Sequence, residues 1–317
     1  MTEPTKEVTG TDSDTASAVK TASEDELFDS PLGAELALDL QLLRKIESTP
    51  FKKPQKTRII TVANQKGGVG KTTSAVNIAA ALAKYGLKVV LIDADPQGNA
   101  STALGVVHSV GTQSVYEVIN RSLSIFDVLT VSPNLENLAV VPSTIDLSSV
   151  EIELVQGEAR EYRLRDAITQ YLDVSRETEA VPDYIIIDCP PSLGMLTLNA
   201  LVAANEILIP IQTEYYALEG LTQLLKTIEN VRANLQPNLV VSTILLTMYD
   251  KRTNLAQDVA AEVREYFPNE TLSFEIPRSV RISEAPSFGQ SIITYDPRST
   301  GAIAYLAAAK EIAERAE

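Results

Sequence analysis

A glycine-rich segment with two lysines, KGGVGKTT at residues 66–73, follows an apolar run at residues 58–63 after two polar residues. Glycines let backbone N–H groups wrap closely around phosphate oxygens, and the N-terminus of a following helix also favours negative charge. In such a loop Lys71 reaches the β- and γ-phosphates of a nucleotide, and the hydroxyl of Thr72 binds Mg²⁺. The general pattern G-x-x-x-x-G-K-[ST] has glycine where this chain has Gln65, and the chain instead carries a second lysine, Lys66. The segment predicts a nucleotide phosphate site.

Three aspartates follow apolar runs in a similar way. Asp93 and Asp95 come at the end of the run at 88–93, and Asp188 ends the run at 184–188. The carboxyl ends of parallel strands meet at one edge of a sheet, so these carboxylates are expected beside the phosphates. There Asp188 would hold Mg²⁺, directly or through water, because Mg²⁺ prefers oxygen ligands. The alternatives are that Asp188 caps a helix and that Asp93 or Asp95 is a simple turn residue.

The elements that must position these residues follow from the alternation of short β-branched runs with longer helical patterns. Strands are predicted at residues 58–63, 88–93, 138–141, 184–188, 206–211, 240–248 and 272–276. Helices are predicted at residues 72–85, 159–172, 218–235, 255–267 and 301–315. The strand runs lack polar alternation, as is typical of strands buried on both faces of a parallel sheet. The pattern predicts an α/β fold with a doubly wound, mostly parallel sheet.

The composition limits the classes of function. The 317 residues include 27 Lys and Arg against 42 Asp and Glu, a formal net charge of −15. Such a charge argues against a nucleic-acid footprint over the whole surface, although a local basic patch is compatible with it. A single cysteine, Cys189, excludes an internal disulfide framework and a metal site built from cysteines alone. No run is apolar enough to span a bilayer and no secretory signal is recognisable, so a cytoplasmic location is expected.

Residues 1–55 differ in composition from the rest of the chain and are interpreted as an acidic N-terminal extension. The first thirty residues are rich in Ser, Thr, Asp and Glu, so they bury too little apolar surface to offset their ordering entropy and are expected to be disordered. Leucines and isoleucine recur at roughly helical spacing between residues 36 and 46. This indicates either a short amphipathic helix that docks on the body or a partner, or a fraying helix in a linker. Residues 56–317 are expected to form the folded domain.

The variant phosphate loop resembles the deviant Walker A motif of the ParA/MinD class of P-loop ATPases. LIDADPQGNA at 91–100 resembles the second nucleotide motif of ParA/Soj partition ATPases, and DYIIIDCPPS at 183–192 resembles their Walker B motif. QTEYYALEGL at 212–221 and IPRSVRISEAP at 276–286 continue the resemblance in the expected order. The resemblance covers the chain from Thr57 to the C-terminus. It implies a P-loop NTPase (deviant Walker A) fold, ATP and Mg²⁺ as cofactors, and an ATPase with weak intrinsic activity.

The resemblance also implies roles for individual residues. In this class Lys66 crosses into the partner's site when two subunits sandwich two ATP molecules, while Asp93 lies beside the metal and Asp95 orients the attacking water. The catalytic residues implied are Lys66, Lys71 and Asp95. The metal ligands implied are Thr72, Asp93 and Asp188. The nucleotide-binding residues implied are Lys66, Gly67, Gly68, Val69, Gly70, Lys71, Thr72, Thr73, Pro277, Arg278 and Ser279. The last three fall where the family holds adenine and ribose.

The family's switch acts on DNA. The resemblance implies an ATP-dependent homodimer that binds double-stranded DNA without sequence preference, associates with the nucleoid, and is released when a ParB-type centromere-binding protein stimulates hydrolysis. Segregation of a chromosome or plasmid would follow, with no membrane partner. Arg252 and Arg281 are the implied DNA-binding residues, and binding through phosphates should weaken steeply with salt. Each arginine could instead be a solvated surface residue.

Four other classes of ATP-binding protein are alternatives to this interpretation. A MinD-like membrane-cycling ATPase needs a basic amphipathic C-terminal helix, but residues 302–317 carry Lys310 and Arg315 against three glutamates. An ATP-dependent small-molecule ligase should have a second pocket with convergent polar groups, which the sequence does not identify. Iron–sulfur reductases of the superfamily need paired cysteines, and a tyrosine-kinase relative would end in a tyrosine cluster. His108, the only histidine, is expected to be a loop residue rather than a catalytic base.

Overall fold

The structure, a computed structural model, describes residues 31–154, 157–215 and 217–315. Its strands are β1 Arg58–Val62, β2 Val89–Asp93, β3 Thr130–Val131, β4 Leu138–Val141, β5 Tyr184–Asp188, β6 Glu206–Gln212 and β7 Val240–Thr247. They form one sheet in the order β3-β4-β2-β5-β1-β6-β7. β3 pairs antiparallel with β4, and the other pairings are parallel. The predicted α/β fold with a doubly wound, mostly parallel sheet is confirmed.

The described residues also form thirteen α-helices. They are α1 Pro31–Glu47, α2 Lys71–Lys84, α3 Asn99–Ala103, α4 Val115–Ile119, α5 Ile125–Val128, α6 Val150–Glu153, α7 Arg163–Glu177, α8 Met195–Ala203, α9 Ala217–Asn234, α10 Asn254–Tyr266, α11 Val280–Glu284, α12 Ile292–Tyr295 and α13 Thr300–Glu314. Short 3₁₀ helices occupy Ile145–Ser149, Arg160–Tyr162 and Ala285–Phe288. The five helices predicted in the folded domain correspond to α2, α7, α9, α10 and α13.

Both faces of the sheet are covered by apolar side chains, which explains the continuous apolar runs. Successive residues of a strand point to opposite faces, and in β5 Ile185 and Ile187 belong to one apolar cluster while Ile186 belongs to the other. α2 and α13 contribute to the cluster that contains Ile186. α7, α8, α9 and α10 contribute to the opposite cluster. No position of β5 faces water, so polar alternation would place polar groups in the core.

The strand predicted at residues 272–276 is wrong. The segment bonds to β7 through the N–H of Leu272, to the carbonyl of Ile244 (2.9 Å), and the N–H of Ile276, to the carbonyl of Leu246 (2.8 Å). Its bridges, Ile244–Thr271 and Tyr249–Pro277, are isolated. Between these bridges the N–H of Ser273 turns away from the sheet and donates to the carboxylate of Glu311 on α13 (2.9 Å). Leu272 and Ile276 are four residues apart whereas their partners Ile244 and Leu246 are two apart, so the register is broken and no continuous ladder forms.

The strand register brings the predicted carboxylates together. β5 lies between β1 and β2, with Asp188 opposite both Val62 and Asp93. β1 leads directly into the glycine-rich loop, and β2 leads into the turn that carries Asp95. The phosphate loop and all three aspartates therefore lie at one edge of the sheet, as the runs predict.

The chain divides into two compact units, Met1–Gln41 and Leu42–Glu317. Residues 1–30 lie outside the described residues, so their disorder stays a prediction, and α1 covers the stretch with helical spacing. The larger unit begins before residue 56, because Ile46 and Phe51 are buried in its core. In this unit Lys310 of α13 donates from Nζ to the carbonyls of Lys45 (3.2 Å) and Ile46 (3.0 Å), which satisfies the C-terminal end of α1.

Candidate nucleotide-binding site

The loop between β1 and α2 requires glycine at two positions. Gly68 and Gly70 have φ of +74° and +87°, in the left-handed region where a Cβ is strained. The hydroxyl of Thr247, at the end of β7, donates to the carbonyl of Val69 (2.8 Å) and fixes the loop from the side. Gly70 directly precedes α2, and no side chain caps that helix. Its first N–H groups are therefore available to an anion in the loop.

Lys71 lies under this loop and is 7% exposed. Its Nζ donates to the carbonyl of Lys66 (3.1 Å), so the side chain folds back onto the backbone of the loop. Burial lowers the pKa of Lys71, and the nearby charge of Asp188 acts in the opposite direction. A buried ammonium with a single carbonyl partner has two further N–H groups to direct at an anion.

Asp188 is fully buried, and neither of its carboxylate oxygens accepts a hydrogen bond in the described part of the chain. Burial, followed by the charge of Asp93, raises its pKa well above the usual range. The hydroxyl of Thr72 is near enough to lower that pKa but makes no hydrogen bond with either oxygen. Burying a carboxylate without a hydrogen-bond donor costs folding free energy. The position of Asp188 therefore requires a partner that the described residues do not supply.

Asp93 is equally buried, but its oxygens are occupied. Oδ2 accepts from the backbone N–H (2.8 Å) and the hydroxyl (2.7 Å) of Ser101, and Oδ1 accepts from the N–H of Asp95 (3.3 Å). Burial raises the pKa of Asp93 to about 6, although the bonds from Ser101 act to lower it. The carboxylate is thus held in one orientation beside Asp188.

Asp95 is 7% exposed and forms part of a tight turn. Its Oδ1 accepts from the N–H of Gln97 (3.0 Å), and its carbonyl accepts from the N–H of Gly98 (2.9 Å). Gly98 is in the left-handed conformation, with φ of +64°, and begins α3. Asp95 therefore stabilises a turn, as the simple-turn interpretation predicts. Its second carboxylate oxygen is available for a further role.

Lys66 points away from Lys71. Its Nζ lies 3.2 Å from a carboxylate oxygen of Glu214, and the two side chains are 36% and 46% exposed. Arg278 approaches the other oxygen of Glu214 at 3.8 Å. The backbone of Lys66 is fixed independently, because its N–H donates to Oδ1 of Asn64 (3.0 Å). The ammonium group is thus near the surface, while the backbone stays in the loop.

A cavity of about 140 Å³ opens beside the loop. Its lining includes Pro277, Arg278 and Ser279, together with Gly70 of the loop and Tyr305 of α13. Met248, directly after β7, also lines the cavity, and the N–H of Arg278 donates to the carbonyl of the next residue, Tyr249 (3.3 Å). The three residues assigned to adenine and ribose are therefore beside the phosphate loop, although they are about 200 residues from it in sequence.

Known proteins resemble the chain over the same region. A family model described as "AAA domain" matches residues 57–241. The chain is 51% identical over 258 residues to the chromosome partitioning protein ParA of Myxococcus xanthus (strain DK1622), covering 81% of this chain and 88% of that protein. It is 50% identical over 259 residues to the sporulation initiation inhibitor protein Soj of Bacillus subtilis (strain 168), covering 81% and 98%. The chain belongs to the ParA/Soj family.

A solved structure extends the likeness to the fold. Cobyrinic acid a,c-diamide synthase from Mycobacterium smegmatis, with bound ATP analogue and magnesium, has a TM-score of 0.68 and 36% identity, covering 81% of this chain and 93% of that one. The strand–loop–helix turn of this ParA/Soj-family chain is accordingly that of a P-loop NTPase, which confirms the predicted fold class.

The two arginines assigned to DNA are exposed, but both contact carboxylates. Arg252, 84% exposed, donates to both oxygens of Asp250 (2.8 and 2.7 Å), and its guanidinium holds the pKa of Asp250 down to about 2. Arg281, 59% exposed, lies 3.6 Å from Glu284 and 3.7 Å from Asp296. The structure thus places both at the surface of this ParA/Soj-family protein without a shared anion site.

No helix among the described residues is long and apolar enough to cross a membrane. The last described helix, α13, is buried from Gly301 to Ala309 and packs in the core with α2. Such a helix has no free apolar face to lay on a lipid surface, unlike the amphipathic helix that a membrane-cycling relative requires.

Several residues of the site carry no motif of their own. Ser101 holds Asp93, Thr247 holds the loop, and Glu214 holds Lys66. Only Glu214 falls within a family segment, and its pairing depends on the position of β6 beside β1. Ser101 and Thr247 could not be found from spacing, because their partners lie on other elements.

Proposed function

We propose that this chain is an ATP-dependent DNA-partitioning protein. Its ATP-bound homodimer binds double-stranded DNA without sequence preference on the nucleoid and is released when a ParB-type centromere-binding protein stimulates ATP hydrolysis. The observation that carries the ATPase half is the buried carboxylate of Asp188, which accepts no hydrogen bond from the residues that the structure describes and lies beside Lys71 and Thr72. The family membership supports the partitioning half.

The donor set around Asp188 fits Mg²⁺ bound together with a nucleotide. Mg²⁺ is usually held by one or two carboxylates plus substrate phosphates, rather than by a cage made of protein alone. Asp188 and the hydroxyl of Thr72 supply such a partial set, with Asp93 fixed behind them. No group of three or more His, Cys, Asp or Glu that could hold a metal occurs in the described residues. When bound, Mg²⁺ neutralises phosphate charge.

The loop residues then act by position and charge. The N–H groups at the start of α2 and Nζ of Lys71 bind the phosphate oxygens of ATP, and the low dielectric around Lys71 strengthens that attraction. Asp95 has a carboxylate oxygen that is not used by Gln97, and we assign it to orienting the attacking water. No arginine of the described residues is assigned to the transferred phosphate, so slow turnover is expected in the isolated protein.

The dimer and the DNA contact rest on surface charges. Lys66 is the lysine at the surface of the loop, so it is the one able to reach the nucleotide of a second copy. Arg252 and Arg281 can each exchange a carboxylate for a DNA phosphate, because ion pairs at the surface are weak and screened by salt. The exchange releases counterions from DNA and gives binding a steep dependence on salt.

The test is a pull-down on random-sequence double-stranded DNA with ATP, ADP or no nucleotide, across a series of salt concentrations. Lys66→Ala removes the lysine assigned to the partner's site, and Arg281→Ala removes a DNA contact. Binding only with ATP, lost steeply with salt and absent in both variants, is the expected result.

The matched control is Arg176→Ala on α7. Arg176 is 62% exposed and pairs with a carboxylate three residues away, much as Arg281 does, so the change in charge and exposure is similar. It should bind DNA as the unchanged protein does. Equal binding in all nucleotide conditions, or equal loss in Arg176→Ala, would refute the DNA assignment and leave the ATPase to be tested on liposomes.

An ATP-dependent amide-forming ligase is the second candidate, because of the 36% identity to the diamide synthase. A cavity of about 250 Å³ next to the loop is lined by polar groups that include Thr73, Asn77 and Gln290. None of its lining residues is charged, whereas a site for a carboxylate substrate is expected to contain a cation. ATP consumption that requires a carboxylic acid and an amine donor, and not DNA, would establish the ligase instead.

A further inference from the structure

His108 lies against the turn that carries Asp95. The imidazole occupies the space beside Gly98 where a side chain would stand: a Cβ on Gly98 would lie 2.6 Å from Nδ1 and 2.8 Å from Cε1 of the ring. The carbonyl of Ser143 closes the same space at 3.1 Å. The ring therefore fills a gap that only glycine leaves, and it packs directly on the backbone at the start of α3.

A hydrogen bond ties the same ring to α3. Nε2 of His108 lies 2.8 Å from Oγ1 of Thr102. The hydroxyl of Thr102 has one proton, which it donates to the carbonyl of Gly98 (3.1 Å). With the hydroxyl proton assigned to Gly98, Nε2 carries a proton and donates to Thr102, and Nδ1 is the nitrogen that faces Gly98.

α3 is also the element that orients Asp93. Ser101, which neighbours Thr102, donates twice to Asp93 and accepts from the N–H of Ser143 (3.1 Å). Gly98 at the start of the helix donates to the carbonyl of Asp95. Both carboxylates therefore depend on where this five-residue helix sits. A helix of this length does not hold itself in place, because most helical stability comes from tertiary contacts.

We propose that His108 is a positioning residue of the ATPase, which holds Asp95 and Asp93 in place through Gly98 and Thr102. The inference rests on the proposed function, since that assigns Asp95 to the attacking water and Asp93 to the surroundings of the metal. His108 does not reach the phosphate loop itself. Its loss should reduce turnover and leave nucleotide affinity unchanged.

The experiment compares His108→Gln with His108→Asn. The amide nitrogen of Gln reaches the position of Nε2 and can donate to Thr102, whereas that of Asn reaches only the position of Nδ1. His108→Asn should lower kcat by about 2- to 12-fold, the equivalent of one net hydrogen bond, with an unchanged Kd for a fluorescent ATP analogue. His108→Gln should keep most of the activity. Equal activity of the two variants would overturn the proposal.

Thr102→Val provides the second arm. It removes the hydroxyl and keeps the shape, so it should lower kcat as His108→Asn does. The double variant should lose no more than either single one, because both act through one contact. Additive losses would show that His108 acts by another route. Val110→Ala, an exposed change two residues from His108, serves as the control and should leave kcat unchanged.

A third readout does not depend on activity. Because the chain has one histidine, the side-chain ¹⁵N spectrum contains one imidazole, and it should show the proton on Nε2. Thr102→Val should shift that signal. A proton on Nδ1 would contradict the proposal even in an active protein. If the unchanged protein hydrolyses no ATP while the signal is as expected, the proposed function fails and the contact between His108 and α3 stands.

Discussion

Replacing Asp93 by Asn should remove a pH-dependent cost of burying a carboxylate. Asp93 is 0% exposed, and burial raises its pKa from 3.8 to about 6. The folded protein therefore binds this proton more tightly than the unfolded chain does. The stabilising contribution is fully present below pH 3.8 and is lost as the pH rises through about 6. Asn does not titrate, so the stability of the variant lacks this loss as the pH rises.

The magnitude follows from the two pKa values. The difference between 3.8 and about 6 corresponds in full to about 3 kcal/mol of unfolding free energy, of which roughly 1.4 kcal/mol falls between pH 5 and 7.5. The variant also loses one hydrogen-bond acceptor for Ser101, which lowers its unfolding free energy by about 1 kcal/mol at every pH. Removing the charge of Asp93 lowers the raised pKa of Asp188 as well, and this acts in the same direction.

The assay is urea unfolding at pH 5, 6 and 7.5, without nucleotide or Mg²⁺, followed by far-ultraviolet circular dichroism because the chain has no tryptophan. The unfolding free energy of Asp93→Asn relative to the unchanged protein should rise with pH by about 1.4 kcal/mol. Asp173→Asn, a change at a carboxylate that is 62% exposed, is the control. A difference that does not vary with pH, or that falls as pH rises, would refute the assignment of a buried, destabilised carboxylate.

Two further predictions concern the other buried charges. Asp188→Asn should abolish the effect of Mg²⁺ on the affinity for ATP while nucleotide binding without metal persists, as measured by calorimetry with and without a chelator; an intact Mg²⁺ effect would place the metal elsewhere. Lys310→Met should lower the unfolding free energy by about 2 kcal/mol, since a charged donor to the end of α1 is lost, and should leave kcat unchanged; an altered kcat at full stability would contradict a structural role for Lys310.

Features set by neighbouring residues could be predicted from the sequence. The β-branched runs predicted six strands to within one residue of their bounds, because a strand covered on both faces must be apolar throughout. The phosphate loop was predictable because Gly68 and Gly70 supply backbone conformations that other residues resist. The short helices α3, α4, α5, α6, α11 and α12 were missed, since four or five residues are too few to show a helical period.

Features that depend on distant residues were decided by the tertiary structure. The position of β5 between β1 and β2 sets Asp188 opposite Asp93, and this proximity of two carboxylates contributes to the raised pKa of Asp188. The sequence predicted His108 as a loop residue, but only the fold places its ring on Gly98, ten residues earlier in the chain. Local patterns determine which backbone shapes the chain adopts. Packing decides which charged groups lie together in a buried region of low dielectric, and that environment sets their pKa values.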